Sequence, residues 1–353
     1  MVHHARCLSV AHLARCGEGL IFACTMLKDF DRLIARFRQF GGWRLVWQYA
    51  RMGVLCTGVK ELARYILHGR SVKAVYPVIT QKVDALLMEQ YKEVLEDGLQ
   101  KYNFGGENTN KKPKVLWTTW LQGEDKAPEL MKVCWNSWRQ HLSDYKLRII
   151  TMENLSQWAV LPDWFVEKYR RGIIPPALFS DVMRLDLLVR HGGTWIDGTV
   201  LCTGFPTERL QKKWAEIEAS ELCLFRYYQR GRKDPVGMST WFISARQVNT
   251  ALATARDMML AYWRDYNCTV DYYLPHLCIG VALNRMPALV AAIPRCNSTH
   301  SVMLGASLGK DFDEAAWKDL TDHVSFHKLN FRKADEAARN PKSYYNFIVK
   351  NER

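Results

Sequence analysis

The stretch ALFSDVMRLDLLVRHGGTWIDGTVLCTG, residues 177–204, decides the reading of the fold. Leu178, Val182, Leu185, Leu188 and Val189 recur at helical spacing. Pro175 and Pro176 stand before them and Gly192 and Gly193 after them, the asymmetry expected of a helix that starts on proline and stops on glycine. The chain then turns into an apolar strand, TWIDGTVLCT, that holds one acid, Asp197. A buried, unpaired carboxylate costs several kcal/mol, so the fold must compensate it. Two answers stand. Asp197 opens an ordinary Asp-Gly turn with Trp195 and Ile196 as core. Or it serves a divalent cation and a diphosphate, since Mg²⁺ takes one or two carboxylates together with phosphate oxygens. Gly198 would then let the backbone approach the ligand. On the preceding helix Asp181 and Arg184 are three residues apart and share a face at the margin of the apolar stripe. An arginine there neutralises diphosphate and an aspartate accepts from sugar hydroxyls. The alternative is a surface ion pair worth roughly a few tenths of a kcal/mol.

Outward from this stretch the pattern alternates. KVLWTTWL (114–121) reads as a strand, PELMKVCWNSWRQHL (128–142) as a helix and YKLRIIT (145–151) as a strand. NLSQWAVLPDWFVEKYRRG (154–172) is helical with a break at Pro162, and LCLFRYY (222–228) and TWFISA (240–245) are later strands. Such alternation predicts an α/β domain with a largely parallel sheet, whose ligands sit beyond the carboxyl ends of the strands.

The first hundred residues read differently. FDRLIARFRQF (30–40) puts Phe30, Leu33, Ile34 and Phe37 on one stripe, an amphipathic helix. WRLVWQYARMGVLCTGVKELARYIL (43–67) continues helically with interruptions at Gly53 and Gly58, and VITQKVDALLMEQYKEVLEDGL (78–99) is a further helix. NFGGENTNKKPK (103–114) is a polar linker. The expected organisation is a poorly ordered lead-in over 1–25, a basic helical region with linker over 26–110, the α/β domain over 111–340 and a tail over 341–353.

The 353 residues carry a formal charge of +13 and are 48% hydrophobic. A basic chain seeks anions. From Met26 to Lys73 ten Lys/Arg face three Asp/Glu, so over half the excess lies in the helical region. That region reads either as a surface for anionic lipid or as a helical cap with a solvated basic face. Ten scattered cysteines form no C-x-x-C pair and no zinc spacing, which predicts reduced thiols and a cytoplasmic setting. No apolar run reaches the ~20 residues of a membrane span, and the start is a poor signal peptide.

FSDVMRLDLLVRHGGTWIDGTV resembles the F-S-D-x-x-R…GG-x-W-x-D-x-T signature of the capsular polysaccharide synthesis family, which is similar to the DXD-containing sugar transferases. The flanking KVLWTTWLQGE and VSFHKLNF match that family's first strand and closing segment. The resemblance implies a GT-A-like, Rossmann-type nucleotide-sugar-binding domain with an N-terminal helical region. It implies a glycosyltransferase that takes sugar from a nucleotide-sugar donor to a glycan or lipid-linked glycan acceptor, with retention, in capsular or surface polysaccharide synthesis. It makes Asp181, Arg184 and Asp197 catalytic and donor-binding, with Gly193 and Trp195 added to the donor set. It places Mn²⁺ or Mg²⁺ on Asp197, Thr199 and His327, although Thr199 stands where a second acid is expected, and a hydroxyl is a weaker, neutral ligand. Trp120 either stacks on the nucleotide base or belongs to the core; Gln122 and Gly123 follow it in the loop. His327 is a metal ligand or a structural histidine. Asp271, in CTVDYYLPHL, orients or deprotonates the acceptor hydroxyl, or caps a helix.

Two other classes compete with this reading. A nucleic-acid-binding protein suits the charge, but no helix-turn-helix, RNP or zinc pattern occurs, and the charge lies away from the aromatic-rich sheet. A catalytically inactive nucleotide-sugar-binding relative rests on Thr199. The membrane surface is kept as a partner and nucleic acid is not, which puts the protein in the cytoplasm or peripherally at the inner face of the membrane.

Overall fold

The computed structural model describes residues 38, 42–68, 75–103, 112–227 and 237–351. Apart from Arg38, the helix expected over 30–40 lies outside them, as does the lead-in. The chain divides into two compact units, one holding residues up to Val83 with Cys268–Tyr272, the other Asp84–Asn267 with Tyr273–Arg353.

The larger unit is built on a five-stranded sheet of order β2-β1-β3-β6-β5, with β1 Val115–Thr119, β2 Lys146–Ile150, β3 Gly193–Ile196, β5 Leu222–Arg226 and β6 Met238–Ala245. β1 lies parallel to both β2 and β3, and each of these connections runs through helix. β6 is antiparallel to β3 and to β5, so the sheet is mixed rather than largely parallel. No described helix separates β5 from β6, and adjacent strands joined that directly pair antiparallel.

The run TWIDGTVLCT, expected as one strand, is two. β3 ends at Ile196, and Asp197-Gly198-Thr199 turns the chain into β4 (Val200–Cys202). β4 leaves the main sheet and pairs antiparallel with β7 (Phe326–Lys328), matching Val200 with Lys328 and Leu201 with His327. Both halves stay apolar because both are fully inside. Trp195 and Ile196 are buried in the sheet, and Val200, Leu201 and Cys202 pack on the Glu129–His141 helix through Trp135 and Trp138. The Trp138 indole donates to the Val200 carbonyl at 2.6 Å, which satisfies both groups in a dry core. Tyr344, Ile348 and Val349 of the Tyr344–Asn351 helix join the same core.

The Pro176–His191 helix feeds β3. It is buried on every side from Leu178 to Val189, not on one stripe. It packs on the sheet and on the Thr250–Asp265 helix, which also meets Lys92–Lys101 and Leu274–Asn284. The 78–99 run is broken at Tyr91 into Val75–Gln90 and Lys92–Lys101. Tyr91 and Tyr102 tie the second helix down by donating to Asp265 at 3.1 Å and to Asp257 at 2.8 Å.

In the smaller unit Trp43–Arg51 and Leu55–His68 are separated at Gly53, whose φ of 67 suits glycine, whereas Gly58 lies within the second helix. Gln48 donates to the Cys268 carbonyl at 2.8 Å and Thr80 to the Asp271 carboxylate at 2.7 Å.

Candidate active site

Three elements bring four charged side chains together beyond the carboxyl end of β3. Asp181 and Arg184 come from the Pro176–His191 helix, Asp197 from the turn after β3, and Lys328 from the end of β7. Arg184 Nη1 lies 3.0 Å from Asp181 Oδ1 and donates to the Thr240 carbonyl of β6 at 2.7 Å, while Nη2 lies 3.2 Å from Asp197 Oδ1. Its guanidinium also sits 4.8 Å from the centre of the Trp195 ring, a cation–π contact. The Asp181 and Arg184 side chains are only 10% and 8% exposed, so this is a buried clamp and not a surface ion pair. A planar fork with several fixed donors suits that bridging.

Asp197 is held from all sides. Its amide donates to the Trp241 carbonyl at 2.8 Å, and its Oδ1 accepts from the Trp195 indole at 2.9 Å. Its Oδ2 accepts from Lys328 Nζ at 2.7 Å, and the same ammonium donates to Thr199 Oγ1 at 2.9 Å. The Asp197 and Lys328 side chains remain 25% and 27% exposed, so the outer end of the array meets solvent. The turn and the charged site are therefore one feature: Asp197 begins a turn, with Trp195 and Ile196 as core, and its carboxylate joins the array.

The two acids differ in character. Burial pushes Asp181 up to about 6, with Arg184 opposing and Asp197 adding to the rise. Burial also acts to raise Asp197, but the Lys328 and Arg184 cations outweigh it and hold the carboxyl below the usual range.

His327 and Lys328 are neighbours in β7, and neighbours in a strand point to opposite faces. Lys328 reaches Asp197 and Thr199, whereas the fully buried His327 has Nε2 3.0 Å from Thr203 Oγ1 and no partner at Nδ1. Burial pushes its imidazole down to about 4. The trio Asp197, Thr199 and His327 is thus not assembled around one point. Among the described residues no group of three His, Cys, Asp or Glu side chains converges as a metal site. Mn²⁺ or Mg²⁺ does not fit this donor set: both Asp197 oxygens are engaged, and an ammonium already lies between Asp197 and Thr199.

Because β1 is parallel to β3, the Trp120–Gly123 loop leaves the sheet at the same edge as Asp197. Trp120 is half-buried against the core, Gln122 is exposed, and Gly123 has φ 103. Gly193 stands at the opposite end of β3, in the conformation φ 96, where a Cβ would come within 2.7 Å of the Val115 carbonyl oxygen. A Cβ on Gly198 would meet the Met131 side chain, so its closeness serves packing on the Glu129–His141 helix. Asp271 belongs to the smaller unit, where it accepts from Thr80; the helix that follows it is capped at Tyr273.

Two charged residues escaped the sequence reading. Lys328 follows His327 directly, and period-two alternation in the strand separates the pair. Asp186, buried, accepts from the Val160 amide, from Arg190 and from Arg256 at 2.8 to 3.0 Å. It braces the far end of the same helix beside a cavity of about 490 Å³ lined by Trp158, Arg190, His191 and Arg256. The cations there are already matched by Asp186 and Asp257.

The array of carboxylates and cations lies at the carboxyl edge of the strands, where open α/β sheets bind their ligands. The family model for "Capsular polysaccharide synthesis protein" matches residues 70–348, and the chain belongs to that family. No curated protein sequence matches it. Among solved structures the PaToxG glycosyltransferase is similar at 13% identity, covering 77% of this chain and 98% of that one with a TM-score of 0.36, a likeness too loose to build on.

Proposed function

We propose that the chain is a glycosyltransferase of capsular or surface polysaccharide synthesis, with a GT-A-type domain that moves sugar from a nucleotide-sugar donor to a hydroxyl of a glycan or lipid-linked glycan. The observation that carries this reading is the Asp181–Arg184–Asp197–Lys328 array at the carboxyl edge of β3, in a chain of a capsule synthesis family. The acceptor oxygen bonds to the anomeric carbon while the carbon–oxygen bond to the diphosphate breaks and its electron pair leaves with the phosphate. The acceptor proton passes to that departing oxygen on the same face, so configuration is retained. Negative charge grows on the diphosphate, and preorganised cations in a partly dry site stabilise it most. Lys328 offers that charge at the solvent-facing end, and Arg184 adds its field from behind Asp197. Asp181 accepts from sugar hydroxyls, and Trp120 with the Gln122–Gly123 loop borders the nucleotide. Trp195 is a positioning residue: its indole fixes Asp197 and its ring supports Arg184.

The test is release of free sugar from a panel of nucleotide sugars by the purified protein, since transferases leak to water when no acceptor is present. Wild type hydrolyses at least one donor, and Asp197→Asn and Arg184→Ala each lose about a hundredfold or more, the scale of removing one electrostatic contact to the developing charge. Near-normal turnover by Asp197→Asn removes the proposed site. Donor binding with no turnover by wild type makes the chain the inactive nucleotide-sugar-binding relative instead.

We propose a membrane surface as the place of work. Trp43 and Trp47, 81% and 64% exposed, lie one helical turn apart on the Trp43–Arg51 helix, which also carries Arg44 and Arg51. Indoles beside arginines suit the interface of an anionic bilayer. Among the described residues no helix is long and apolar enough to cross a membrane.

A further inference from the structure

We infer that Lys328 takes the place of a divalent cation in this chain, so that the diphosphate of the donor is bound without metal. The inference rests on the reading of the site as a nucleotide-sugar site.

The charge balance leads to it. Two carboxylates that share a divalent ion form a neutral group. Here the second acid is Thr199, which removes one negative charge, and the cation between Asp197 and Thr199 is a single-charged ammonium. The group is neutral again. An ammonium has three donors and no acceptor. Lys328 spends one on Asp197 Oδ2 and one on Thr199 Oγ1, which leaves a third for a phosphate oxygen at the exposed end of the array. Thr199 is thereby explained: a hydroxyl is a poor ligand for Mn²⁺ but a good acceptor for an ammonium. The rest of the surroundings agree. The imidazole that would complete a metal set, His327, is turned into the core and paired with Thr203. The other cation, Arg184, lies on the opposite oxygen of Asp197. A divalent ion added at this point would sit beside two fixed positive charges and share one carboxylate with both of them. Lys328 comes from β7, antiparallel to β4, and the Val200–Lys328 pairing sets it next to Thr199, so the placement is fixed by strand register and not by a loose side chain.

Calorimetry with inorganic pyrophosphate tests this without knowledge of the sugar or the base. Wild type in EDTA binds pyrophosphate, and excess Mn²⁺ in place of EDTA leaves the affinity within about twofold. Lys328→Met weakens binding about tenfold or more, as expected for a lost hydrogen bond to a charged group, and Lys328→Arg keeps most of it. A matching thermal melt shows that the variants are folded; if Lys328→Met does not fold, the wild-type comparison of EDTA with Mn²⁺ still decides. Binding by wild type only when Mn²⁺ or Mg²⁺ is present overturns the lysine inference and leaves sugar transfer standing. So does undiminished binding by folded Lys328→Met in EDTA. Absence of pyrophosphate binding under both conditions removes the diphosphate site, and the proposed function with it.

Discussion

At the scale of single residues, Asp181 carries the clearest cost. The residue is 7% exposed, and burial outweighs Arg184 to lift its pKa from 3.8 to about 6. The folded chain therefore keeps a proton that the unfolded chain releases near 3.8. Between those values the folded state binds more protons, so stability falls as pH rises through about 6 and the penalty is full above it. Asp181→Asn lacks this slope. The stability of wild type relative to Asp181→Asn is expected to fall by about 2 kcal/mol between pH 4 and pH 7, read by urea unfolding at a series of pH values. Asp84, also lifted to about 6, and His327, depressed to about 4, titrate in the same span but are common to both proteins and cancel. Parallel curves would contradict a buried charge at Asp181. Three of the four charges in the array were legible in the sequence, because Asp181 and Arg184 share a helix face and Asp197 breaks an apolar strand. Lys328 was not, because its approach to Thr199 depends on a strand pairing across more than a hundred residues, which no local spacing records.

At the scale of elements, the helix-to-strand joint at Gly192-Gly193 fixes the direction in which β3 delivers Asp197. Gly193 has φ 96, and a Cβ there would press on the Val115 carbonyl oxygen of the neighbouring strand. Gly193→Ala is expected to cost about 2 kcal/mol or more from backbone strain and close contact together, measured as a drop of several degrees in the melting temperature. An unchanged melting temperature would mean that β1 and β3 can separate freely at this point. Strands β1, β2, β5 and β6 and the helices before β2 and β3 were legible from alternation and from proline and glycine punctuation. Two features were not. The split of TWIDGTVLCT into β3 and β4 was hidden because both halves are buried, and a continuous apolar run carries no mark of a change of sheet. The antiparallel β6 was hidden because strand direction is set by connection and pairing rather than by composition.

At the scale of the whole molecule, the two units divide the work in the proposed account, with catalysis in the larger and attachment to a surface in the smaller. Vesicles containing anionic lipid should pellet the protein at low salt and release much of it at high salt, since surface charge is screened beyond roughly a Debye length. Trp43→Ala with Trp47→Ala should lower the pelleted fraction at either salt; absence of pelleting at both salts in wild type would contradict the membrane reading. The central claim, that the array after β3 binds an activated sugar, is tested most directly by the melting temperature of wild type and Arg184→Ala against a panel of nucleotide sugars in EDTA. A ligand at about a hundred times its Kd adds about 2.7 kcal/mol to the folded state, a readily measured shift. The account predicts that at least one nucleotide sugar raises the melting temperature of wild type and that Arg184→Ala loses that shift. A wild-type protein that no nucleotide sugar stabilises, with or without added Mn²⁺, would contradict it.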